Sequence, residues 1–376
     1  MKIGLVCRRF RFSGGGLEKY AVNLSCFLMA LGHEVHVFAA EWDDIPGILF
    51  HRVPMIPFSS PGKNLSFGLM AARISGQVGL DVLQSMERIW QQDIYRASDG
   101  INPVQMLQKY PNIWVRRLKS AGPRRRILAL LEKRIFLKGG CRFVVTNSRL
   151  VKNQIMKYYN VPSEKIHVIY NSVDMNRFSP ENRPDCRLKI RNRHGIDPQK
   201  RIVFFAGNNF KLKGLQMLLE AVAILGQKNV CVMVAGGDPI KAYEKRSEKL
   251  GIRDQVVFLG RVSNPEQYYR AADIFVLPTR YDAFANVCLE AMACGTPVIT
   301  TQSNGAAEII KDNMTGYVLK TQESRELSSR MKAFMERGDR KRMSEQAAST
   351  AARFTSERSM DRLIQLYHQV REAKRK

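Results

Sequence analysis

No stretch of the sequence reaches the about 18 consecutive apolar residues that a membrane-spanning helix needs. The apolar run near the start, Ile3 to Cys7, is too short for a signal peptide. Paired cysteines in C-x-x-C spacing and clustered histidines are missing, so neither a disulfide framework nor a zinc site is expected. The seven cysteines (Cys7, Cys26, Cys141, Cys186, Cys231, Cys288, Cys294) are scattered through apolar segments, which fits a reducing cytosol. Asp43-Asp44 is not a D-x-D pair on a strand end, so metal-independent chemistry is expected. Acid is scarce: 34 Asp and Glu stand against 60 Lys and Arg, a net charge of +26. That excess asks for an anionic partner, whether nucleic acid, an anionic membrane or a phosphorylated substrate.

What is present suffices for two domains with sizeable cores, since the chain has 376 residues, 45% of them apolar. Its most informative stretch runs from Ala272 to Glu308. Ile274 to Leu277 reads as a buried parallel strand ended by Pro278, and Thr279 to Asp282 as a polar loop. Ala283 to Cys294 has a helical period with Gly295 at its C-cap, and Pro297 to Thr301 is a second strand. Asn304 to Glu308 opens a further helix, completing the repeat of a doubly wound sheet. Asp282 precedes the first helix and Glu290 lies inside it, about two turns and ~12 Å further on, so one face is expected to carry both carboxylates. The backbone amides of Phe284, Ala285, Asn286 and Val287, open at a helix start, would suit a diphosphate. Both acids could instead be solvated surface groups. The apolar neighbours of Glu290 (Val287, Cys288, Leu289, Ala291, Met292) argue that it needs a partner.

The chain opens with a strand, Lys2 to Cys7, a glycine turn, Gly14-Gly15-Gly16, a helix from about Leu17 to Leu31, and a strand, Glu34 to Ala39. The turn could cradle phosphate or simply be flexible, and Lys19 stands where a dinucleotide fingerprint needs its third glycine. His33 and His36 read as structural. Strands at Val82–Ser85 and Asp93–Ala97 precede Asp99-Gly100, which by itself is a turn pair. Arg201 to Ala206 begins a second unit, followed by the loop Gly207 to Gly214 with Lys211 and Lys213, and the helix Leu215 to Leu225. Two lysines there can neutralise a diphosphate that backbone amides also hold, or be ordinary surface lysines. Val256 to Leu259 leads to Gly260-Arg261-Val262, and a last helix from Ser356 carries a stripe of Met360, Leu363, Ile364, Tyr367 and Val370.

Lys109 to Arg142 holds eleven basic residues against one acid, Glu132, interleaved with Trp114, Leu118, Leu130, Phe136 and other apolar side chains. An amphipathic helix lying on anionic lipid reads this way, as does a basic helix packed on the domain by its apolar side. Nucleic acid is not the expected partner, because zinc-finger spacing and RNA-binding aromatic signatures are missing. A nucleic-acid-associated α/β protein stays as the non-catalytic alternative.

The run D-A-F-A-N-V-C-L-E-A-M-A-C-G-T-P-V-I, from Asp282, resembles the E-x7-E signature of retaining glycosyltransferases of family 4, with Asp in place of the first Glu. Asn171 to Pro180 resembles the joint between their two halves, with Ser172 in place of Gly. The resemblance implies an α/β GT-B fold, two Rossmann-like doubly wound domains facing each other across a cleft. Residues 1–172 would bind the acceptor, 173–355 the nucleotide sugar, and 356–376 would form a helix crossing back. It implies that Asp282 contacts the donor hexose, Glu290 the ribose, and Lys213 with Lys211 the diphosphate. Asn208 or Asn209 stands where relatives carry Arg. Arg261 and Val262 would border the base, and Gly14, Gly15 and Gly16 would lie beside donor and acceptor. Asp93, Tyr95, Ala97 and Asp99 form a D-x-Y-x-A-x-D pattern similar to that of bacterial enzymes that glucosylate inner-core heptose of lipopolysaccharide, a resemblance that implies a catalytic role for Asp99 with Asp282 and Lys213. The implied activity is transfer of a hexose, glucose from UDP-glucose, to that heptose or to another cell-surface glycan. No cofactor beyond the nucleotide-sugar substrate is implied, and the enzyme would sit peripherally on the cytoplasmic face of the inner membrane.

Overall fold

The structure is a computed structural model and describes residues 1–375. The chain divides into one compact unit from Met1 to Tyr170, completed by the chain from Ser359 onward, and a second from Asn171 to Arg358.

Among the described residues, the sheet of the first unit has seven strands: Lys2–Val6 (β1), Glu34–Ala39 (β2), Ile48–Arg52 (β3), Val82–Ser85 (β4), Ile94–Arg96 (β5), Phe143–Thr146 (β6) and Ile166–Val168 (β7). They lie parallel in the order β3-β2-β1-β4-β5-β6-β7. Helices cover such a sheet on both faces, which is why Ile3, Leu5, Val6, Val35 and Val37 read as continuous apolar runs and are all buried. The order reverses between β1 and β4, and ligands of doubly wound sheets bind beyond the strand ends at that reversal. The helix Gly16–Ala30 (α1) follows β1 and ends at Gly32, whose φ of +74° suits the left-handed turn. Its start is one residue earlier than the sequence pattern indicates.

The basic segment is two helices rather than one. Ile113–Ser120 (α2) and Pro123–Leu137 (α3) are separated at Ala121-Gly122, because Pro123 pre-sets a first helical turn but cannot sit inside a helix. Helix α2 buries none of its residues, and Trp114 and Leu118 are 72% and 74% exposed. Helix α3 buries Leu131, Glu132 and Ile135. Glu132, the lone acid of the basic run, therefore points into the protein. Its carboxylate accepts from Arg88 Nε at 2.8 Å, the Asn102 amide at 2.9 Å and Tyr159 Oη at 2.6 Å, Tyr159 lying on Arg149–Tyr159 (α4). A buried carboxylate is tolerable only with such a set of donors. Among the described residues, no helix is long and apolar enough to cross a membrane.

The C-terminal helix, Ser356–Arg375, buries Met360, Leu363, Leu366, Tyr367 and Val370 in the same core as β1, β2 and α1. Ile364, part of the stripe read from sequence, stays at the rim of that core while Leu366 enters it.

In the second unit the strands Arg201–Ala206 (β8), Val230–Ala235 (β9), Val256–Gly260 (β10), Ile274–Leu277 (β11), Val298–Thr301 (β12) and Gly316–Leu319 (β13) form a parallel sheet in the order β10-β9-β8-β11-β12-β13. Here the reversal falls between β8 and β11, paired through Val203 with Ile274 and Phe204 with Phe275.

Tyr367 Oη donates to Gln84 Oε1 at 2.9 Å inside the first unit, and both residues are buried. Tyr367→Phe leaves that acceptor unsatisfied and should cost about 1–3 kcal/mol in urea unfolding. Unchanged stability would show that the bond does not hold the last helix in place.

Candidate functional site

At the reversal in the second unit, two loops leave adjacent strands and are fastened together. The chain beyond β8 passes through Gly207 to Asn209 into one short helical turn, Phe210–Lys213 (α5). The carbonyl of Leu212 accepts from the Arg280 amide at 2.8 Å and from Thr279 Oγ1 at 3.1 Å, both beyond β11. Gly214 follows with φ of +82°, so close to Pro278 that a Cβ would stand 2.0 Å from the Pro278 carbonyl oxygen. Only glycine fits that approach.

This fastening sets Lys213 Nζ against Asp282 Oδ2 as an ion pair, with the side chains 19% and 16% exposed. The other Asp282 oxygen, Oδ1, accepts from the Phe284 amide at 3.2 Å. A cation and an acid read from distant parts of the sequence thus meet at one strand end. Partial burial strengthens their attraction over that of an exposed pair.

Two expectations about the following helix need correction. It begins at Asn286, not Ala283, and runs Asn286–Ala293 (α6). Asp282 therefore belongs to an extended segment paired with Asn304, and helical spacing does not relate it to Glu290. The chain stays extended because Asn304 holds it: the Asp282 amide donates to the Ser303 carbonyl at 3.1 Å, and the Gly305 amide to the Asp282 carbonyl at 2.9 Å. Nor are all four amides from Phe284 to Val287 open. That of Phe284 is taken by Asp282, and that of Ala285 by Asn304 Oδ1 at 3.1 Å. The open helix end comes down to Asn286 and Val287, with the Asn286 side chain accepting from Asn171 Nδ2 at 2.7 Å.

Glu290 is half-buried on α6, and Tyr269 Oη donates to its Oε2 at 3.1 Å. Burial first, and then the neighbouring Glu290 charge, push the Tyr269 phenol well above its ordinary pKa, so it remains a donor. The partner that an acid in so apolar a stretch requires is this tyrosine.

The loop amides of α5 also differ from expectation. Asp238, in the turn after β9, accepts from the amides of Asn209 at 3.0 Å and Phe210 at 2.7 Å. Asn209 Oδ1 takes the Leu212 amide at 3.2 Å. The amides of Asn209, Phe210 and Leu212 are thus taken, and Lys213 is turned to Asp282. Lys211 is exposed there. Arg261, beyond β10, lies against the backbone of Gly237 in the neighbouring turn, with Val262 half-buried beside it.

In the first unit, Gly14, Gly15 and Gly16 sit at the start of α1, where the Gly15 amide donates to the Glu18 carboxylate. Asp99 is exposed in the turn beyond β5. The backbone of that turn is held from several sides, by Asn147 Nδ2 to the Ser98 carbonyl (3.1 Å), Gln105 Nε2 to that of Asp99 (2.9 Å) and Arg88 to that of Gly100 (3.1 Å).

Sequence reasoning missed Asp238 and Asn304 as organisers of the site. The Gly-Gly-Asp that ends β9 and the Asn-Gly that follows β12 were signals for both, since short acceptors beside glycine commonly cap turns.

Two Rossmann-like parallel-sheet units in one chain make the GT-B fold. A family model described as glycosyl transferases group 1 matches residues 187–350, and one described as Glycosyltransferase Family 4 matches residues 14–177. A probable transglycosylase of Burkholderia thailandensis is 33% identical over 316 residues, covering 80% of each chain or more. The lipopolysaccharide glucosyltransferase WaaG of Escherichia coli is 27% identical over 82% of both chains. A crystal structure of WaaG superposes with a TM-score of 0.78 over 93% of this chain and 95% of its own, at 23% identity. The Anabaena protein HepE, solved with UDP and glucose, gives 0.76 over 98% and 100% at 19% identity. The chain belongs to the GT-B glycosyltransferases of group 1 and family 4.

Gly214→Ala forces a side chain into the Pro278 carbonyl at a positive φ. It should lose about 3 kcal/mol of stability in thermal or urea unfolding of the second unit. Wild-type stability would mean that the two loops are not fastened as described.

Proposed function

We propose that this glycosyltransferase moves a hexose, glucose from UDP-glucose, onto heptose of the lipopolysaccharide inner core, with retention of anomeric configuration. The observation that carries the reading is the Lys213–Asp282 pair at the reversal of the second sheet. Similarity to WaaG, a lipopolysaccharide glucosyltransferase by name, supports the sugar and the acceptor, and the UDP and glucose in HepE support the donor.

In the proposed reaction the bond between the sugar C1 and the diphosphate oxygen breaks, and its electron pair leaves with the diphosphate. Lys213, with Lys211 nearby in the loop, stabilises that growing negative charge, and such electrostatic stabilisation usually lowers the barrier more than any other single effect. Asp282 accepts hydrogen bonds from hexose hydroxyls, Glu290 from the ribose, and Arg261 and Val262 border the base. The amides of Asn286 and Val287 add to diphosphate binding. The acceptor hydroxyl attacks the same face of C1, oriented by Asp99, and its proton passes to a departing phosphate oxygen. Charge compensation falls on lysine, so the reaction is proposed to run without a metal ion.

The acceptor is proposed to be reached from the cytoplasmic face of the inner membrane. Helix α2 supports this, with Trp114 and Leu118 projecting outward among Arg116, Arg117 and Lys119. Each basic side chain near an anionic surface gains about 1 kcal/mol.

A panel of nucleotide sugars with heptose-terminated core lipopolysaccharide, assayed in EDTA and read by mass spectrometry, should show one hexose added from UDP-glucose. Lys213→Ala should lower that rate ~100-fold or more. No mass gain with any donor, or an undiminished rate in the variant, would refute the reading. The full chain should also sediment with anionic vesicles, be released by ~0.5 M salt, and bind less after Trp114→Ser with Leu118→Ser. Equal binding to neutral vesicles would remove the membrane from the proposal.

A further inference from the structure

The first unit holds a counterpart of the Lys213–Asp282 pair. Its sheet reverses between β1 and β4, and just beyond those strands Arg8 Nη2 lies 3.0 Å from Glu87 Oε2. The topological position is the same in both units: one charged residue beyond each of the two strands that flank the reversal. The core does not swallow this pair, since the two side chains remain 32% and 21% exposed.

Both partners are aimed by their surroundings. Arg8 also donates to Asn64 Oδ1 at 3.1 Å, and its guanidinium carbon lies 5.5 Å from the centre of the Phe67 ring. The Glu87 carbonyl accepts from Ser85 Oγ at 2.6 Å, and its amide donates back to that oxygen at 3.0 Å. Burial pushes the Glu87 carboxyl up, while the charges of Arg8 and Arg88 lower it and that of Asp99 raises it again. The next residue, Arg88, donates to the Gly100 carbonyl at 3.1 Å and so ties the Glu87 turn to the one that carries Asp99, the acid proposed to orient the acceptor hydroxyl.

A half-open pair of this kind offers N–H donors and carboxylate acceptors side by side. Adjacent hydroxyls of a sugar ring, each able to donate and accept, complement that arrangement. An apolar chain would leave both charges desolvated. A phosphate would meet the negative charges of Glu87 and Asp99. We propose that Arg8 and Glu87 form the acceptor subsite and hydrogen-bond adjacent hydroxyls of the acceptor sugar beside Asp99. This rests on the reading that the acceptor is a sugar.

Calorimetric titration of the full chain with heptose-terminated core oligosaccharide tests it without turnover. Glu87→Gln, and separately Arg8→Ala, should weaken oligosaccharide binding ~10-fold or more while leaving UDP-glucose affinity unchanged. The charge-swapped double variant, Arg8→Glu with Glu87→Arg, should recover melting temperature but not oligosaccharide affinity, because a mere brace between strands tolerates the swap and a ligand site does not. Recovery of affinity on swapping, wild-type affinity in Glu87→Gln, or no binding by the wild type would each overturn the subsite. Oligosaccharide binding with this pattern but no hexose transfer would uphold the subsite and refute the transfer reading alone.

Discussion

Everything at the candidate site of the second unit depends on holding an ammonium and a carboxylate together at the end of two parallel strands. Lys213 and Asp282 are 69 positions apart in sequence. What joins them is mostly uncharged: the Leu212 carbonyl shared by Thr279 and Arg280, and a glycine with no side chain pressed against Pro278. Rigid backbone contacts set the geometry, and the charges are then carried into place. Groups positioned before a substrate arrives need no reorganisation when charge develops on it.

The loops that bear these groups spend their polar backbone on one another. Asp238 and Asn304 consume amides that an open helix start would otherwise present, and Glu290 takes a hydroxyl from Tyr269. The site that results relies on side chains more than on a backbone cradle. In the first unit the same economy appears around Glu132, where an acid within a basic segment is turned inward to hold Arg88, Asn102 and Tyr159. Its arginine and amide partners border the turn that carries Asp99, so the seat of α3 and the position of that turn share one buried network.

The repetition of a reversal in each sheet, each flanked by one ion pair, gives the two units a common plan. Strand order alone dictates where a crevice can open, because connections to either side of the reversal leave in opposite directions. The charges that stand there differ between the units: Lys213 with Asp282 in the second, Arg8 with Glu87 in the first.

Much of the architecture was legible in the residues. Apolar runs such as Arg201–Ala206, Val230–Ala235 and Ile274–Leu277 are strands with the bounds their composition indicates, since a strand buried on both faces must be apolar throughout. The E-x7-E-like run, the two-lysine loop and the apolar stripe of the last helix were equally plain. Only the tertiary structure decided where α6 begins, because Asn304, from another strand connection, holds residues 282–285 extended against their own helical period. It alone decided that Glu132 faces inward and that Lys213 meets Asp282. Local sequence encodes periodicity and turns, whereas the partner of a charge is a matter of which distant loop packs beside it.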